Sequence, residues 1–417
     1  MIPEPPRPRM WDPAAEAPPD WAAAQDALAD DAIRLALERS HEASTRLAEA
    51  GISPPERRGV AALHGVPVRE KDHLPELQAA DPPFGGMLGV DVSALRRIHR
   101  SPGPINDPEG RRADYWRMAP AFRAAGFNAG EVVLNTFSYH LTPGGHMMDA
   151  GLREVGCVVV SGGVGNTSGQ AAFAAQIGAT GYVGTPQFLL ALLERGVEDG
   201  VRLGFRRALV SGAPLPPDLR RELEGRYAVS VFQAYGTADA GAIGYECEAK
   251  DGWHVAPGVV VEILYPGTRE PCAPGRSGEV VVTSANPVYP LVRFGTGDLS
   301  AFIPNACTCG RTSARLAGFL GRVGEGVKVR GMFVHPRQLA EALGSHRGVR
   351  RYQGTVTEQN HRDALAVSVE TTPGLPPDLD EVAARLRETT GLRAEVRAVE
   401  PGTIHDDAPP LVDLREG

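Results

Sequence analysis

The chain has 417 residues, 42% of them hydrophobic and 23% charged, and 43 basic against 51 acidic residues give a formal charge of −8. That length allows two or three domains with a sizeable core. The acidic balance, without a Lys/Arg-rich stripe, argues against a nucleic-acid partner. No apolar run approaches the ~20 residues that span a bilayer, so no membrane partner is expected.

In chain order, Met1–Pro6 shows no basic segment followed by an apolar run, so no secretory signal is read there. A cytoplasmic location is the expectation. Residues 1–20 are rich in Pro and Ala and belong on the surface. Asp30–Ala50 repeats apolar residues at three- and four-residue spacing, which predicts one amphipathic helix ending near Gly51. From about 130, the runs EVVLNTF, CVVVSGG, GYVGTP and RALVSGA each end in small or turn residues before a helical stretch. That rhythm predicts βαβ units in a parallel sheet, with ligands at the carboxyl ends of its strands. After 255, VVVEILYPG, GEVVVTSAN and LVRFGTGDLS predict antiparallel strands. A final segment from about 322 has its own strands and two helices, Arg337–Leu343 and Asp378–Thr389. The fold class is therefore α/β. A large N-terminal domain (1–320) combines a parallel βαβ sheet with an antiparallel β subdomain, and a small α+β domain (321–417) follows.

Five cysteines (157, 247, 272, 307, 309) are too few for a disulfide framework in a chain this long. Cys247, His254, Cys307 and Cys309 flank the antiparallel strands and make a candidate Cys₃His tetrahedral site for a structural Zn²⁺. The turns Asp251-Gly252 and Cys309-Gly310 would let the chain wrap an ion. Scattered buried thiols with a surface histidine remain the alternative. Cys157 reads as a buried strand residue and Cys272 as a loop thiol. Lysine is scarce beside arginine, so each lysine invites a question.

Several segments, in order, resemble the phenylacetate–coenzyme A ligase family of adenylate-forming enzymes. They are Asp30–Pro54, Val66-Pro-Val-Arg-Glu-Lys-Asp72, Gln233-Ala-Tyr-Gly-Thr-Ala-Asp-Ala-Gly241, Arg293-Phe-Gly-Thr-Gly-Asp298, Cys309-Gly-Arg-Thr312, Gly321-Arg322 and Lys328–Pro336. The likeness runs from about 30 to 400. It implies attack of a carboxylate on the α-phosphate of ATP, loss of pyrophosphate, and capture of the acyl-adenylate by a thiol. ATP/AMP, Mg²⁺, coenzyme A and a small aromatic or similar carboxylic acid follow as cofactors and partners. By resemblance Asp298 takes the ribose hydroxyls, Tyr235, Gly236 and Thr237 line the adenine, and Ser211, Gly212, Ala213 and Pro214 cover its other face. Asp239 stands where the family binds Mg²⁺ with Glu, and Arg322 would contact ribose or phosphate. Phe137, Tyr139, His140 and Gly163 would line the acyl pocket. For Asp298 a turn aspartate, and for Tyr235 a core aromatic, are the plainer alternatives. The family's C-terminal domain rotates, so residues 321–417 are expected to be mobile. A homodimer is left open.

Two departures stand out. The family's phosphate loop reads Ser-Ser-Gly-Thr-Thr-Gly-Lys, and the same place here reads Arg100-Ser-Pro-Gly-Pro-Ile-Asn-Asp-Pro-Glu-Gly110. Ser101 and Gly103 survive, the lysine is gone, and prolines remove backbone N–H donors. Asp107 and Glu109 add negative charge near a triphosphate, with His99, Arg100 and Arg111–Arg112 as compensating candidates. The closing Gly-Lys is also missing from Thr403–Arg415, which has no lysine. Three functions follow: an acyl-CoA-forming ligase or one using another acceptor, a non-adenylating binding or regulatory protein on the same scaffold, or an enzyme using another nucleotide or a preformed acyl donor.

Overall fold

The computed structural model describes residues 18–52, 59–101, 104–268, 270–323, 326–329, 332–359, 362–372, 374–405 and 408–415. They fall into two compact units, Met1–Phe319 and Leu320–Gly417. Where periodicity predicts one helix there are two, α1 (Trp21–Arg39) and α2 (His41–Glu49). Between them Ser40 is extended, and its hydroxyl accepts from the Ala43 N–H. A serine that can bond the backbone in this way favours a cap over continued helix, which breaks the predicted segment in two.

The next elements are β1 (Arg69–Glu70), α3 (Leu74–Ala80), the hairpin β2 (Arg97–Ser101) and β3 (Ile105–Glu109), and α4 (Ala119–Ala124). Then β4 (Val132–Asn135), α5 (Gly144–Val155), β5 (Val158–Ser161), α6 (Thr167–Gln176), β6 (Gly181–Gly184), α7 (Pro186–Glu198), β7 (Arg207–Val210), α8 (Pro217–Gly225) and β8 (Ser230–Thr237) alternate along the chain. Strands β4 to β8 pair in parallel in the spatial order β8-β7-β6-β4-β5. Asn135 lies opposite Ser161 and Val183, and Val210 lies opposite Gly184 and Gln233, so the strands' carboxyl ends align along one edge. Antiparallel strands β9 (Gly241–Tyr245) and β10 (Trp253–Val255) extend this sheet beyond β8.

A second sheet is built from β11 (Val259–Leu264), β12 (Gly278–Ser284) and β13 (Leu291–Ser300), all antiparallel as predicted. Strand β1 joins β13 in parallel, with Arg69 opposite Phe294 and Glu70 opposite Gly295. That pairing sets Lys71 beside the Gly295–Asp298 end of β13. Arg293, 0% exposed, is held by Glu262 at 2.9 Å and by the carbonyls of His64 and Val66 at 3.1 Å, so its buried charge is paired and saturated. Strands β14 (Phe302–Ile303) and β15 (Arg315–Leu316) return to the first sheet, β15 pairing with β10.

The second unit contains β16 (Gly321–Arg322), β17 (Val327–Val329), β18 (Met332–Val334), α9 (Pro336–Leu343), β19 (Val349–Gln359), β20 (Arg362–Thr371), α10 (Leu379–Thr390), β21 (Ala394–Val399) and β22 (Leu411–Asp413). Its sheet runs β21-β20-β19-β22 over a core that includes Leu339, Val356, Val367, Val382 and Leu386. Both predicted helices are present, and Asp378 caps α10 by accepting from the Asp380 and Glu381 N–H groups. The Pro409 and Pro410 carbonyls accept from Gln353 Nε2 (3.0 Å) and Gly354 N–H (2.8 Å), fastening the entry to β22. Among the described residues no helix is long and apolar enough to cross a membrane.

Candidate functional site

The loops that leave the carboxyl ends of β4, β5, β7 and β8 carry most of the predicted site residues. After β4, the fully buried Asn135 donates to the Tyr139 hydroxyl (2.8 Å) and to the Gly145 carbonyl (2.9 Å), closing the loop on itself. A Cβ on Gly145 would stand 2.7 Å from the Ser138 carbonyl, so only glycine fits this fold-back. Phe137 packs toward the turn after β7: a Cβ on Gly212 would meet its ring at 3.3 Å. The Ser211–Pro214 turn and the Phe137–Gly145 loop are therefore neighbours. Gly212 has φ +73°, and the Pro214 carbonyl accepts from Gln187 Nε2 at 3.1 Å. Gly163 has φ +67°, and its carbonyl is held by Gln170 at 3.0 Å. His140 is exposed in the same loop.

On β8, Tyr235 stacks on Trp253 with ring centres 5.3 Å apart and planes at 24°. Its hydroxyl donates to Asp298 Oδ2 at 2.9 Å. The two motifs, 63 residues apart, thus meet as one unit. The Thr237 hydroxyl accepts from the Ala240 N–H, shaping the turn that carries Asp239.

Asp239 has a fully buried side chain whose Oδ2 accepts from Lys71 Nζ at 2.7 Å, while Oδ1 has no partner. Burial works against the Lys71 charge, but Asp239 outweighs it and holds the ammonium above its ordinary value. The negative charges of Asp107 and Asp298 favour the charged Lys71 as well. Asp107, 1% exposed, accepts from the Ser101 N–H at 3.2 Å. Burial and the neighbouring Asp239 push its carboxyl up to about 8. Glu279, 2% exposed, is likewise pushed up to about 7 by burial beside Glu70, and it accepts from the Gly297 N–H.

Some expectations change. Glu109 turns away from the phosphate side, held by Arg97 (2.9 Å) and His99 (3.0 Å), and His99 is thereby occupied and buried rather than offered to a phosphate. Arg111 is exposed and bonds the carbonyls of Ser93 and Ala94. Gly103 lies outside the described residues. Arg322 is exposed on β16 in the second unit. Sequence reading did not single out Lys71, Trp253, Glu70 or Glu279; the rarity of lysine was the one signal that pointed toward Lys71.

Cys247, His254, Cys307 and Cys309 converge, with all four ligand atoms within 4.8 Å of one another. Cys247 and Cys307 sulfurs are 3.7 Å apart, and Cys309 Sγ is 3.3 Å from His254 Nε2. A tetrahedron with Zn–S of about 2.3 Å and Zn–N of about 2.0 Å has ligand separations of about 3.5–3.8 Å, which the 3.7 Å sulfur pair meets and the 3.3 Å Cys309–His254 pair nears, so small adjustments would let the set hold that ion. His254 Nδ1 meets the Ser313 hydroxyl at 2.9 Å, which orients the ring, and burial lowers the imidazole to about 4, leaving it in the neutral, ligating form. The ligands fall together because β9, β10 and β15 are adjacent in one sheet.

Two family models match the chain: AMP-binding enzyme over residues 113–288, and AMP-binding enzyme C-terminal domain over 331–409. The fold is that of an adenylate-forming enzyme. The phenylacetate-coenzyme A ligase of Thermus thermophilus is 28% identical over 342 residues, covering 78% of this chain and 76% of its own. That of Escherichia coli is 26% identical over 384 residues, 85% of each. The structure of an open 2-hydroxyisobutyryl-CoA ligase, in complex with 2-HIB-AMP and CoA, superposes with a TM-score of 0.87 at 23% identity, over 98% of this chain and 95% of its own. The chain carries both AMP-binding enzyme regions and is similar to phenylacetate-coenzyme A ligases at 26–29% identity.

Proposed function

We propose that the chain converts a small carboxylic acid to its coenzyme A thioester through an acyl-adenylate made from ATP. One observation carries the reading. The Tyr235–Asp298 hydrogen bond joins an aromatic platform to a carboxylate at the same carboxyl edge where Phe137 meets the Ser211–Pro214 turn. Adenine would lie against Tyr235, with Ser211, Gly212, Ala213 and Pro214 opposite, and Gly236 and Thr237 would shape its floor. Asp298 would accept from the ribose hydroxyls, a charge-assisted contact. Phe137, Tyr139 and Gly163 would bound the acid, an arrangement suited to an aromatic or similar group. The unpartnered Oδ1 of Asp239 offers one hard oxygen to Mg²⁺, the ion that would neutralise phosphate charge. Ser101 would flank the phosphates. By the family resemblance, Arg322 would contact ribose or phosphate. The Cys₃His set, with no open position, would hold Zn²⁺ structurally.

Pyrophosphate exchange tests the first half of this reaction. Labelled pyrophosphate should enter ATP when an aromatic acid is supplied, and should not without one. Exchange will be slow, because a lost charge contact to the transition state costs on the order of 10²–10³ in rate and Thr403–Arg415 has no lysine. That missing lysine is also what favours the second reading, a binding protein on the same scaffold. No exchange with any acid, alongside normal nucleotide binding, would support that reading.

A further inference from the structure

Just before α4 the chain makes a buried turn, and within four residues two that are not glycine, Asp114 (φ +41°) and Arg117 (φ +60°), take left-handed backbone. That conformation is unfavourable for a residue with a Cβ and persists where its surroundings dictate it. Here they do. Asp114 accepts from the Met118 and Ala119 N–H groups at 2.8 Å each, which ties the turn to the start of α4.

What the turn holds is the loop between β8 and β9. The Trp116 indole N–H donates to the Ala238 carbonyl at 3.0 Å, and the Arg117 guanidinium donates to the Ala240 carbonyl. Those two carbonyls lie on either side of Asp239. The Ala242 N–H donates back to the Trp116 carbonyl at 2.8 Å. A Cβ on Gly241 (φ +72°) would stand 2.5 Å from that same oxygen, so the approach needs glycine. Arg117 is a buried cation that bonds main-chain carbonyls, and its Nε has no partner. An incompletely paired buried charge adds little stability that an apolar side chain could not supply, so its value here is directional. Asp239 itself has one side-chain partner, Lys71 on Oδ2, and the aim of its unpartnered Oδ1 is left to the backbone that Trp116 and Arg117 fix.

We propose that Trp116 and Arg117 are positioning residues that aim Asp239 Oδ1 at the Mg²⁺ of a bound nucleotide. The proposal rests on the reading of Asp239 as a metal ligand given under Proposed function.

Calorimetry on the full chain tests it, with ATP in Mg²⁺, ATP in a chelator, and AMP in a chelator. Mg²⁺ should tighten ATP binding to the wild type, and Asp239→Asn should abolish most of that gain. Trp116→Phe removes the indole donor but keeps a ring against Tyr115 and His99, whose ring centres lie 5.1 and 5.7 Å from that of Trp116. It should cut the Mg²⁺ gain about threefold or more, while both metal-free affinities change less than about twofold and report a folded chain. Arg117→Lys, which replaces the planar fork by a point donor, should act in the same direction. In the Asp239→Asn background Trp116→Phe should add less than about twofold, because both act through one carboxylate. An unchanged Mg²⁺ gain in Trp116→Phe and in Arg117→Lys, or equal losses with and without metal, would overturn the proposal and leave Asp239 as the ligand. Full additivity with Asp239→Asn would overturn it too. A Mg²⁺ gain absent from the wild type, or untouched by Asp239→Asn, would remove the metal reading and the proposal with it.

Discussion

At the scale of single residues, the site depends on who already holds each charge. Asp298 and Tyr235 share a hydrogen bond, and Lys71 is committed to Asp239. Glu109 is committed to Arg97 and His99, which is why it leaves the phosphate side neutral. Removing Asp298 should therefore act on the nucleotide rather than on the fold, because Tyr235 remains stacked on Trp253. Asp298→Ala is expected to weaken AMP binding by roughly 1.5–3 kcal/mol, the range for a hydrogen bond to a charged group. Calorimetry that finds AMP affinity unchanged in this variant would remove Asp298 from the ribose.

At the scale of elements, the Cys and His ligands come from the strands β9, β10 and β15 and the loops beside them. An ion held there would fasten the loop after β9 to the loop before β15. One Zn²⁺ per chain is expected in protein purified without added metal, and Cys307→Ser should lose it together with several degrees of thermal stability. Elemental analysis and a thermal melt check both points; metal-free protein as stable as the wild type would contradict them. How far elements could be read in advance depends on what fixed them. The βαβ rhythm was visible because each strand is a short apolar run ending in turn residues, and parallel strands buried on both faces must look that way. The Ser40 break was not visible, since apolar spacing continues through it and the cap depends on one hydroxyl. Tyr235, Asp298 and the four Cys/His ligands stood in motifs with their own spacing. The roles of Lys71 and Glu279 were not legible, because the β1–β13 and β12–β13 pairings bring them to the Asp298 end of β13, and such register leaves no local trace.

At the scale of the whole molecule, two compact units and two family models describe a scaffold built to activate an acid and then pass it on. The relatives at 26–29% identity are phenylacetate-coenzyme A ligases. In the second unit the entry to β22 is pinned through the Pro409 and Pro410 carbonyls. The measurement that bears most directly on the account is product formation by the full chain. Supplied with ATP, Mg²⁺, coenzyme A and a panel of aromatic and short carboxylic acids, it should yield an acyl-CoA and an equal amount of AMP, seen by mass spectrometry, with at least one acid. AMP and thioester that both fail to appear with every acid, from folded protein that binds AMP, would contradict the assignment as an acyl-CoA-forming ligase.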